Sequence, residues 1–294
     1  MLAVQLLLNA LSLGAAYALV ALGFVLVLNA TTAVNFAHGE SVVAGGFAAV
    51  LLATLLPTDI GIPGLILLPG ILVITAALGL AIGALAYLPI RNRPPVSVFV
   101  TTIAVGMIVA NGLNATFGAA PRTAPPLIGV GTIDMIGVSI SRQSIAIIVT
   151  ACVLIGGLAI VLQRTQLGRQ FRACAQDPEM ARAVGIRLTR ITLLSFALGT
   201  AFAGAAGLLL AHQFFISPAD GAPLILKAYI AVVIGGWGSL RGAAAGALLI
   251  AVFEVFVAAA LSQPVAEGAL YLVLFAVLAF RPQGLFGEAA QRRA

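Results

Sequence analysis

Charge is the property that this chain lacks most. Of its 294 residues only 8% are charged and 62% are hydrophobic, whereas soluble domains carry about a quarter charged residues. A chain with so little polar surface cannot face water on all sides, so we expect lipid to be its solvent. The uncharged runs are also continuous, which excludes the short alternating segments of a transmembrane β-barrel.

Lysine and cysteine are nearly absent. The single lysine, Lys227, follows Leu226, so the sequence has no GxxxxGK[ST] phosphate-binding loop, and we expect no cofactor on this chain. Cys152 and Cys174 have neither the spacing of a disulfide framework nor that of a metal site, so no metal is expected. The first basic residue is Arg91, so the charged start of a signal peptide is missing and the first apolar run is expected to be a retained span.

Uncharged runs long enough to cross a bilayer fill most of the sequence. About 20 apolar residues in a helix span the hydrocarbon core, and a helix satisfies its own backbone groups there. The sequence therefore predicts an all-α polytopic membrane protein in which residues 1–294 form one transmembrane domain with eight or nine spans. The predicted spans are 5–28, 39–56, 66–90, 97–117, 143–162, 191–211, 225–240, 242–260 and 266–281. Glycines interrupt the segment 225–240, which either crosses or enters and returns, and this choice decides the count and the side of the N-terminus.

Basic residues predict the orientation. Excess Lys and Arg in the cytoplasmic loops of membrane proteins explains the net charge of +6, so we expect no nucleic-acid partner. If the polar loop 163–190 is cytoplasmic and the spans alternate, most basic residues lie inside, together with the C-terminus, and the N-terminus lies outside. Arg122, Arg142 and Lys227 then fall outside. The implied location is a bacterial inner membrane, with 118–142 as an outer loop that either contacts a substrate-delivery protein or merely connects two spans.

The polar loop contains start and stop signals for one short helix. Asp177 can cap free N–H groups, Pro178 suits the first helical position and Glu179 complements the helix dipole. Gly185 is placed to end the helix in a left-handed turn. The sequence therefore predicts a helix of about two turns, which is too short to be stable without support.

An apolar stripe on this short helix indicates what supports it. Met180, Ala183 and Val184 lie on one side, whereas Arg182 points elsewhere. A helix lying on the lipid surface would carry aromatic anchors, and this one has none. We therefore favour docking to a cytoplasmic protein over docking to lipid.

Four stretches resemble the permease subunits of branched-chain amino-acid ABC importers. RACAQDPEMARAVGI, followed by SFALGTAFAGAAGLLLA, resembles their cytoplasmic loop and next span. NFAHGE at 35–40 resembles the signature of the H-type subunit, as opposed to its M-type partner. LKAYIAVVIGGWGSLRGAAAGALL at 226–249 resembles the Gly-rich region of the family, and RPQGLFG at 281–287 its C-terminal end. Trp237 and Arg241 depart from the family pattern, in which smaller or less charged residues are expected.

The resemblance implies the permease of an ATP-driven importer. Its partners would be a second permease subunit, of M type or identical, two cytoplasmic ATPases that carry ATP and Mg, and an external solute-binding protein. The cargo would be branched-chain amino acids, although similar permeases are associated with other amino acids, urea and short amides. The residues that the resemblance assigns to ATPase coupling are Arg172, Ala173, Cys174, Asp177, Pro178, Glu179, Met180, Ala183 and Gly185.

Two breaks in the apolar pattern predict a translocation path. They lie at 29–40 and 235–246, and interrupted segments in the two halves of a transporter are typical of a substrate path and an inverted repeat. The candidate path residues are Asn35, Phe36, His38, Gly39, Glu40, Gly235, Gly236, Gly238 and Glu254. His38 and Glu40 could form a relay, but we favour a cap for the second span at the cytoplasmic face. Glu254, the one acidic residue expected deep in a span, either meets a polar neighbour or lines the path.

Other functions fit the sequence less well. An ion-coupled secondary transporter would need charged residues deep in several spans, and an intramembrane enzyme would need a nucleophile with a base or metal ligands. His38 and His212 are expected near the membrane faces and make a weak catalytic set; His212 and Asp220 are expected to be solvated in an outer loop. Small residues of the sixth span, from Gly199 to Gly207, predict close helix packing, for which the second permease is one candidate partner.

Overall fold

A computed structural model describes residues 2–55, 63–135, 138–281 and 283–286. Within them the chain forms eleven α-helices and one β-hairpin. The helices are α1 (Leu2–Thr31), α2 (His38–Ala53), α3 (Pro63–Ala81), α4 (Pro95–Phe117), α5 (Arg142–Arg164), α6 (Gln166–Gln176), α7 (Pro178–Ala183), α8 (Leu188–Gln213), α9 (Gly221–Gly235), α10 (Leu240–Ala260) and α11 (Gln263–Phe280). A π-helical turn (Ile82–Tyr87) and a 3-10 turn (Leu88–Ile90) extend α3, and β1 (Thr132–Met135) pairs antiparallel with β2 (Val138–Ser141).

The helices confirm the predicted all-α membrane fold. In the described part of the chain seven helices are long and apolar enough to span a membrane, and α2 and α9 are shorter apolar helices. Each of the nine predicted spans falls on one of them. Residue 56 of the second span, residues 136 and 137 of the outer loop, residues 282 and 287 of the C-terminal motif, and Arg292 and Arg293 lie outside the described residues.

Helices α1 and α8 form the centre of the bundle. Helix α8 packs against α1, α2 and α3, and α1 also packs against α5 and α10. The small residues of α8 make this possible, because a Cβ at Gly199 would meet α1 at Gly23 and a Cβ at Gly204 would collide with Thr75 of α3. Close packing is therefore confirmed, but these small residues pack within the chain and not against a second subunit.

One end of the bundle collects most of the described arginines, and we call it the basic end. The segments 91–94, 164–190, 236–239, 281 and 283–286 lie there. The Arg91 guanidinium donates to the Thr189 hydroxyl at 2.8 Å, which joins two of these loops. At the opposite end, Arg122 and Ile216 form an isolated antiparallel bridge that ties the outer loop to the segment after α8.

Helix α2 occupies only one half of the bundle. Its first residue, His38, is fully buried, and His38 Nε2 lies 3.0 Å from the carbonyl oxygen of Val20, beyond the midpoint of α1. From there α2 runs to the opposite end, where Gly46 faces Ala211 near the end of α8. The irregular segment 32–37 covers the remaining depth to the basic end.

Helix α9 occupies the other half. It begins beside the start of α2 and ends at the basic end, where the Asn29 side-chain amide donates to the Gly238 carbonyl at 2.9 Å. The irregular segment before it is 214–220, not the predicted 235–246. Gly235 is the last residue of α9, and Gly236 and Gly238 form the turn that follows, with φ of 113° and 80°. The segment therefore crosses rather than returning to the side from which it entered.

Candidate functional site

The starts of α2 and α9 meet at two glycines in the interior of the bundle. A Cβ on Gly39 would collide with the carbonyl oxygen of Gly221, and a Cβ on Gly221 would collide with the carboxylate of Glu40. Only glycine allows the two backbones to approach this closely. We call this contact the helix crossing; it joins the first break that the sequence predicted to a second break, at 214–220, that the sequence did not indicate.

Buried polar atoms without partners surround the helix crossing. In the described structure, Nδ2 of Asn35, Nδ1 of His38 and Oε2 of Glu40 make no hydrogen bond. His38 packs edge-on against Phe24, with ring centroids 6.1 Å apart. The expectation that His38 and Glu40 cap α2 at the cytoplasmic face is therefore wrong in position, because this helix begins inside the bundle. The unpartnered atoms of Asn35, His38 and Glu40 can form hydrogen bonds with a solute or a water molecule.

Acidic side chains face the first turn of α9. The carboxylate of Glu40 lies against Gly221, and Asp220 accepts hydrogen bonds from the backbone N–H and the hydroxyl of Ser217, at 2.6 and 3.2 Å. Two carboxylates at a helix N-terminus complement the positive end of its dipole. Asp220 is thus part of the folded structure and not simply a solvated loop residue. His212 also has a partner, because its Nδ1 lies 3.0 Å from the Ala124 carbonyl oxygen.

Phe36 anchors the irregular segment that precedes α2. Its backbone N–H donates to the hydroxyl of Thr102 in α4 at 3.3 Å, and its ring packs edge-on against Phe99, with centroids 4.8 Å apart. The segment is therefore fixed to α4 as well as to α1. Asn35 adds a local turn, because its Oδ1 accepts from the Ala37 N–H at 3.1 Å.

Glu254 meets a polar group on each of three other helices. Its carboxylate accepts hydrogen bonds from Lys227 Nζ at 2.7 Å, from the Tyr17 hydroxyl at 3.1 Å and from Gln263 Nε2 at 2.8 Å. Lys227 also donates to Tyr17 at 3.0 Å and to Glu267 at 3.5 Å. We call these five residues the Lys227 cluster. Glu254 thus meets polar neighbours, which is one of the two alternatives that the sequence left open, and Lys227, assigned to the outer side by the threading, lies within the bundle.

The Lys227 cluster lines a cavity of about 630 Å³ between the ends of α1, α8, α9, α10 and α11. Apolar side chains such as Leu13, Leu210 and Leu224 share its walls with the cluster. Asp220 is also part of the lining, so the cavity reaches from the opposite end towards the helix crossing. Of the predicted path residues, Glu254 lies in this cavity, 35–40 lie around the helix crossing, and the three glycines lie at the basic end; the structure does not bring all of them together.

The short helix of the polar loop forms as the sequence predicts. The Asp177 carboxylate accepts from the N–H groups of Glu179 and Met180, both at 3.0 Å, and Pro178 takes the first helical position. Gly185 ends the helix with a φ of 87°. The apolar stripe faces outwards, since Met180 is 63% and Val184 73% exposed. The stripe is thus available to a partner.

Helix α6 fixes the short helix to the bundle. Phe171 and Cys174 are buried against the core, and a Cβ on Gly168 would collide with the carbonyl of Leu162 at the end of α5. Burial raises the pKa of the Cys174 thiol. Arg172 donates to the Leu162 carbonyl and is otherwise exposed. Of the residues assigned to coupling, Cys174 therefore faces the bundle, whereas the stripe of α7 faces away from it.

No pattern in the sequence indicates a role for Tyr17 or Gln263. Both lie in or beside apolar runs, and only the folded helices bring them to Glu254. A signal existed for Lys227, because a single lysine inside the apolar stretch 221–235 needs a nearby acidic partner if that stretch lies in the bundle.

The long helices can span a membrane, two half-length helices begin at one point inside the bundle, and a polar cavity leads towards that point. This arrangement defines a transport protein of the permease class. The family described as "Branched-chain amino acid transport system / permease component" matches residues 6–279. The chain belongs to this family, and as a member it is a transport permease and not an enzyme.

Named relatives align over almost the whole chain. It is 33% identical to the high-affinity branched-chain amino acid transport system permease protein BraD of Pseudomonas aeruginosa, over 97% of this chain and 95% of the relative. It is 32% identical to the corresponding protein LivH of Escherichia coli K12, over 95% and 94%. A probable LivH of Methanocaldococcus jannaschii is 28% identical, over 92% and 88%. No solved structure matches the chain.

Proposed function

We propose that this chain is the H-type permease subunit of an ABC importer for branched-chain amino acids. The observation that carries the proposal is similarity over nearly the full length to permeases named for that transport. The partners that we propose are an M-type permease, two ATPases that bind ATP and Mg, and an external solute-binding protein. No cofactor is assigned to this chain.

The polar loop supports a coupling role. Its helix α7 is capped at both ends, is held to the bundle through α6, and presents Met180, Ala183 and Val184 outwards. A rigid apolar projection at the basic end suits a groove on an ATPase, because motion of the ATPase then moves α6 and the core behind it. We place this end, with the C-terminus, in the bacterial cytoplasm and the N-terminus outside.

The cavity and the helix crossing support a path for a zwitterion. The cavity combines apolar walls with ammonium and carboxylate groups, which an amino acid with an aliphatic side chain can contact at both its polar and its apolar parts. The unpartnered atoms of Asn35, His38 and Glu40 lie further along the same direction. We propose that solute passes from the cavity to the helix crossing.

Uptake tests the transported class. The chain is expressed with its partner subunits in cells that lack their own branched-chain system, and uptake of labelled leucine is measured. We expect ATP-dependent uptake that excess isoleucine or valine suppresses and that urea or acetamide leaves unchanged. Suppression by urea alone, or uptake by this chain without the ATPases, contradicts the proposal.

Coupling is tested at Gly185 and Ala183. Gly185→Val strains a left-handed turn that a β-branched residue does not tolerate, whereas Gly185→Asn serves as the control because asparagine adopts this conformation more readily. Ala183→Asp places a charge on an exposed stripe, and Ala183→Ser is its control. We expect Gly185→Val and Ala183→Asp to lower ATPase co-purification and uptake at least about tenfold, with folding unchanged for Ala183→Asp. Wild-type ATPase binding by both variants rules out α7 as the coupling element.

A further inference from the structure

A groove of about 370 Å³ lies at the basic end between α1, α5, α6 and α10. Its floor is apolar and buried, and is formed by Leu22, Leu26, Leu158, Leu162 and Phe171. Its rim is polar and exposed, and includes Gln163, Arg172 and Arg241. The function proposed above gives the groove itself no role, although Arg172 on its rim is also one of the residues that the resemblance assigns to ATPase coupling.

The occupant must match both parts of the groove. Two guanidinium groups on one rim favour a phosphate or carboxylate, and an apolar floor favours a hydrocarbon chain. Arg172 uses one nitrogen on the Leu162 carbonyl, which holds its side chain at the rim, and no ion pair of either arginine occurs in the described structure. The rim charges are therefore available.

The chemistry of the groove suits a lipid. An acyl chain can lie along the apolar floor between the helices while its headgroup reaches the basic rim. Basic pockets between transmembrane helices on the cytoplasmic side are typical sites for anionic lipid headgroups.

The turn that precedes α10 adds an aromatic side chain close to the arginine of the rim. Arg241 forms part of the rim, and Trp237, half exposed, lies in the turn just before α10. Tryptophan is enriched at the membrane–water interface, so its position agrees with a groove mouth at headgroup level. The Trp237 ring packs edge-on against Tyr229 of α9, with centroids 5.9 Å apart, which holds the indole in this turn, whereas the Arg241 side chain is exposed.

We propose that this groove binds an anionic phospholipid, with an acyl chain against Leu26 and Leu158 and the phosphate on Arg172 and Arg241. Each arginine contributes roughly a fivefold preference for anionic over zwitterionic lipid, and the two together roughly 30-fold. The preference is a property of this chain's own side chains and does not depend on which solute is transported.

Tryptophan fluorescence tests the proposal, because Trp237 is the only tryptophan of the chain. The purified full chain is placed in phosphatidylcholine nanodiscs, and quenching by brominated phosphatidylglycerol is compared with quenching by brominated phosphatidylcholine. We expect half-maximal quenching at a roughly 30-fold lower fraction of the anionic lipid, and a loss of this difference in Arg172→Gln/Arg241→Gln. The double variant Arg169→Gln/Arg187→Gln removes the same charge from the same end without touching the groove, and should retain the preference.

A second pair of variants separates the groove from the general charge of this end. Ala244→Phe fills the groove and leaves both arginines in place, whereas Leu249→Phe adds a ring on the exposed face of the same helix. We expect Ala244→Phe alone to abolish the preference. Equal quenching by the two lipids in the wild type, or the same preference in Ala244→Phe, overturns the proposal. So does a preference that vanishes when the second permease is bound, because the groove is then a protein interface.

Discussion

At the scale of single residues, the Lys227 cluster explains how charges are accommodated among apolar helices. Lys227 and Glu254 have side chains only 12% and 3% exposed, and desolvation at such depth costs several kcal/mol per ion unless each is paired. Tyr17 and Gln263 complete the hydrogen bonds of Glu254. The cluster therefore joins α9 to α1, α10 and α11. Removing one of its buried charges without the other leaves an unpaired ion in the bundle.

Removing only one ion of the Lys227–Glu254 pair should lower the stability more than removing both. Glu254→Gln or Lys227→Met should each lower the free energy of unfolding by about 3–5 kcal/mol, because a buried charge loses its partner. The double variant should recover part of that loss. Thermal unfolding of the purified chain in detergent measures the three values. Glu267→Gln is the control: Glu267 is 43% exposed and 3.5 Å from Lys227, so its removal should cost less than about 1 kcal/mol. A double variant as unstable as the sum of the singles would mean that the ions do not compensate each other.

At the scale of elements, the helix crossing couples two half-length helices. Helix α2 reaches from the crossing to the opposite end and α9 from the crossing to the basic end, so together they span the bundle. Their opposed directions are the arrangement that an inverted repeat would produce, and the repeat itself stays a prediction. Because the first turns of α2 and α9 are in contact, a displacement of α9 at the basic end also shifts the start of α2.

Alanine at the crossing tests this coupling. Gly39→Ala or Gly221→Ala inserts a methyl group where a Cβ meets backbone or carboxylate atoms, and overpacking of this kind typically costs about 1–3 kcal/mol. We expect a lower midpoint of thermal unfolding and slower leucine uptake. Gly112→Ala and Gly268→Ala are matched controls, since a Cβ at either position has nothing within 4 Å, and both should behave like the wild type. Unchanged stability in the crossing variants would show that the two starts can separate without loss.

Local signals in the sequence carried the prediction of α7 but not that of the crossing. Asp177, Pro178 and Gly185 act on their own neighbours in the chain, so the helix can be predicted from the sequence. The starts of α2 and α9 depend on depth within the bundle, which an uncharged run does not encode, and the break at 214–220 carries no glycine pattern like that of 235–238. The Lys227–Glu254 pair joins residues of two helices, and only their packing brings the charges together.

At the scale of the whole molecule, the order of helix directions predicts which side of the membrane each loop faces. In the described part of the chain nine apolar helices alternate in direction, so the start of α1 and the end of α11 lie at opposite ends. The basic end carries the polar loop, and the opposite end carries residues 118–135 and 138–141 with the paired strands β1 and β2. The composition sufficed to predict this alternation, because each span is read from its own hydrophobic run.

Engineered cysteines test the orientation. Val130→Cys and Ala183→Cys, each in a Cys152→Ser/Cys174→Ala background, place thiols at exposed positions of opposite ends. A membrane-impermeant maleimide added to intact cells should label Val130→Cys at once and Ala183→Cys only after permeabilisation. Native Cys174 is a poor reporter, because it is buried and its raised pKa keeps the thiolate fraction low at neutral pH. Labelling of Ala183→Cys in intact cells would invert the assignment.

The last described residues form a short strap across the end of α9. The N–H groups of Leu285 and Phe286 donate to the carbonyls of Ile234 and Gly235 at 2.8 and 3.0 Å, and a Cβ on Gly284 would strike the backbone near Gly236. A purification handle or fluorescent protein fused close behind this strap pulls directly on a half-length helix. A fusion protein therefore needs a flexible spacer at that junction, and a loss of uptake caused by a tag there indicates strain on α9 before it indicates a failure to fold.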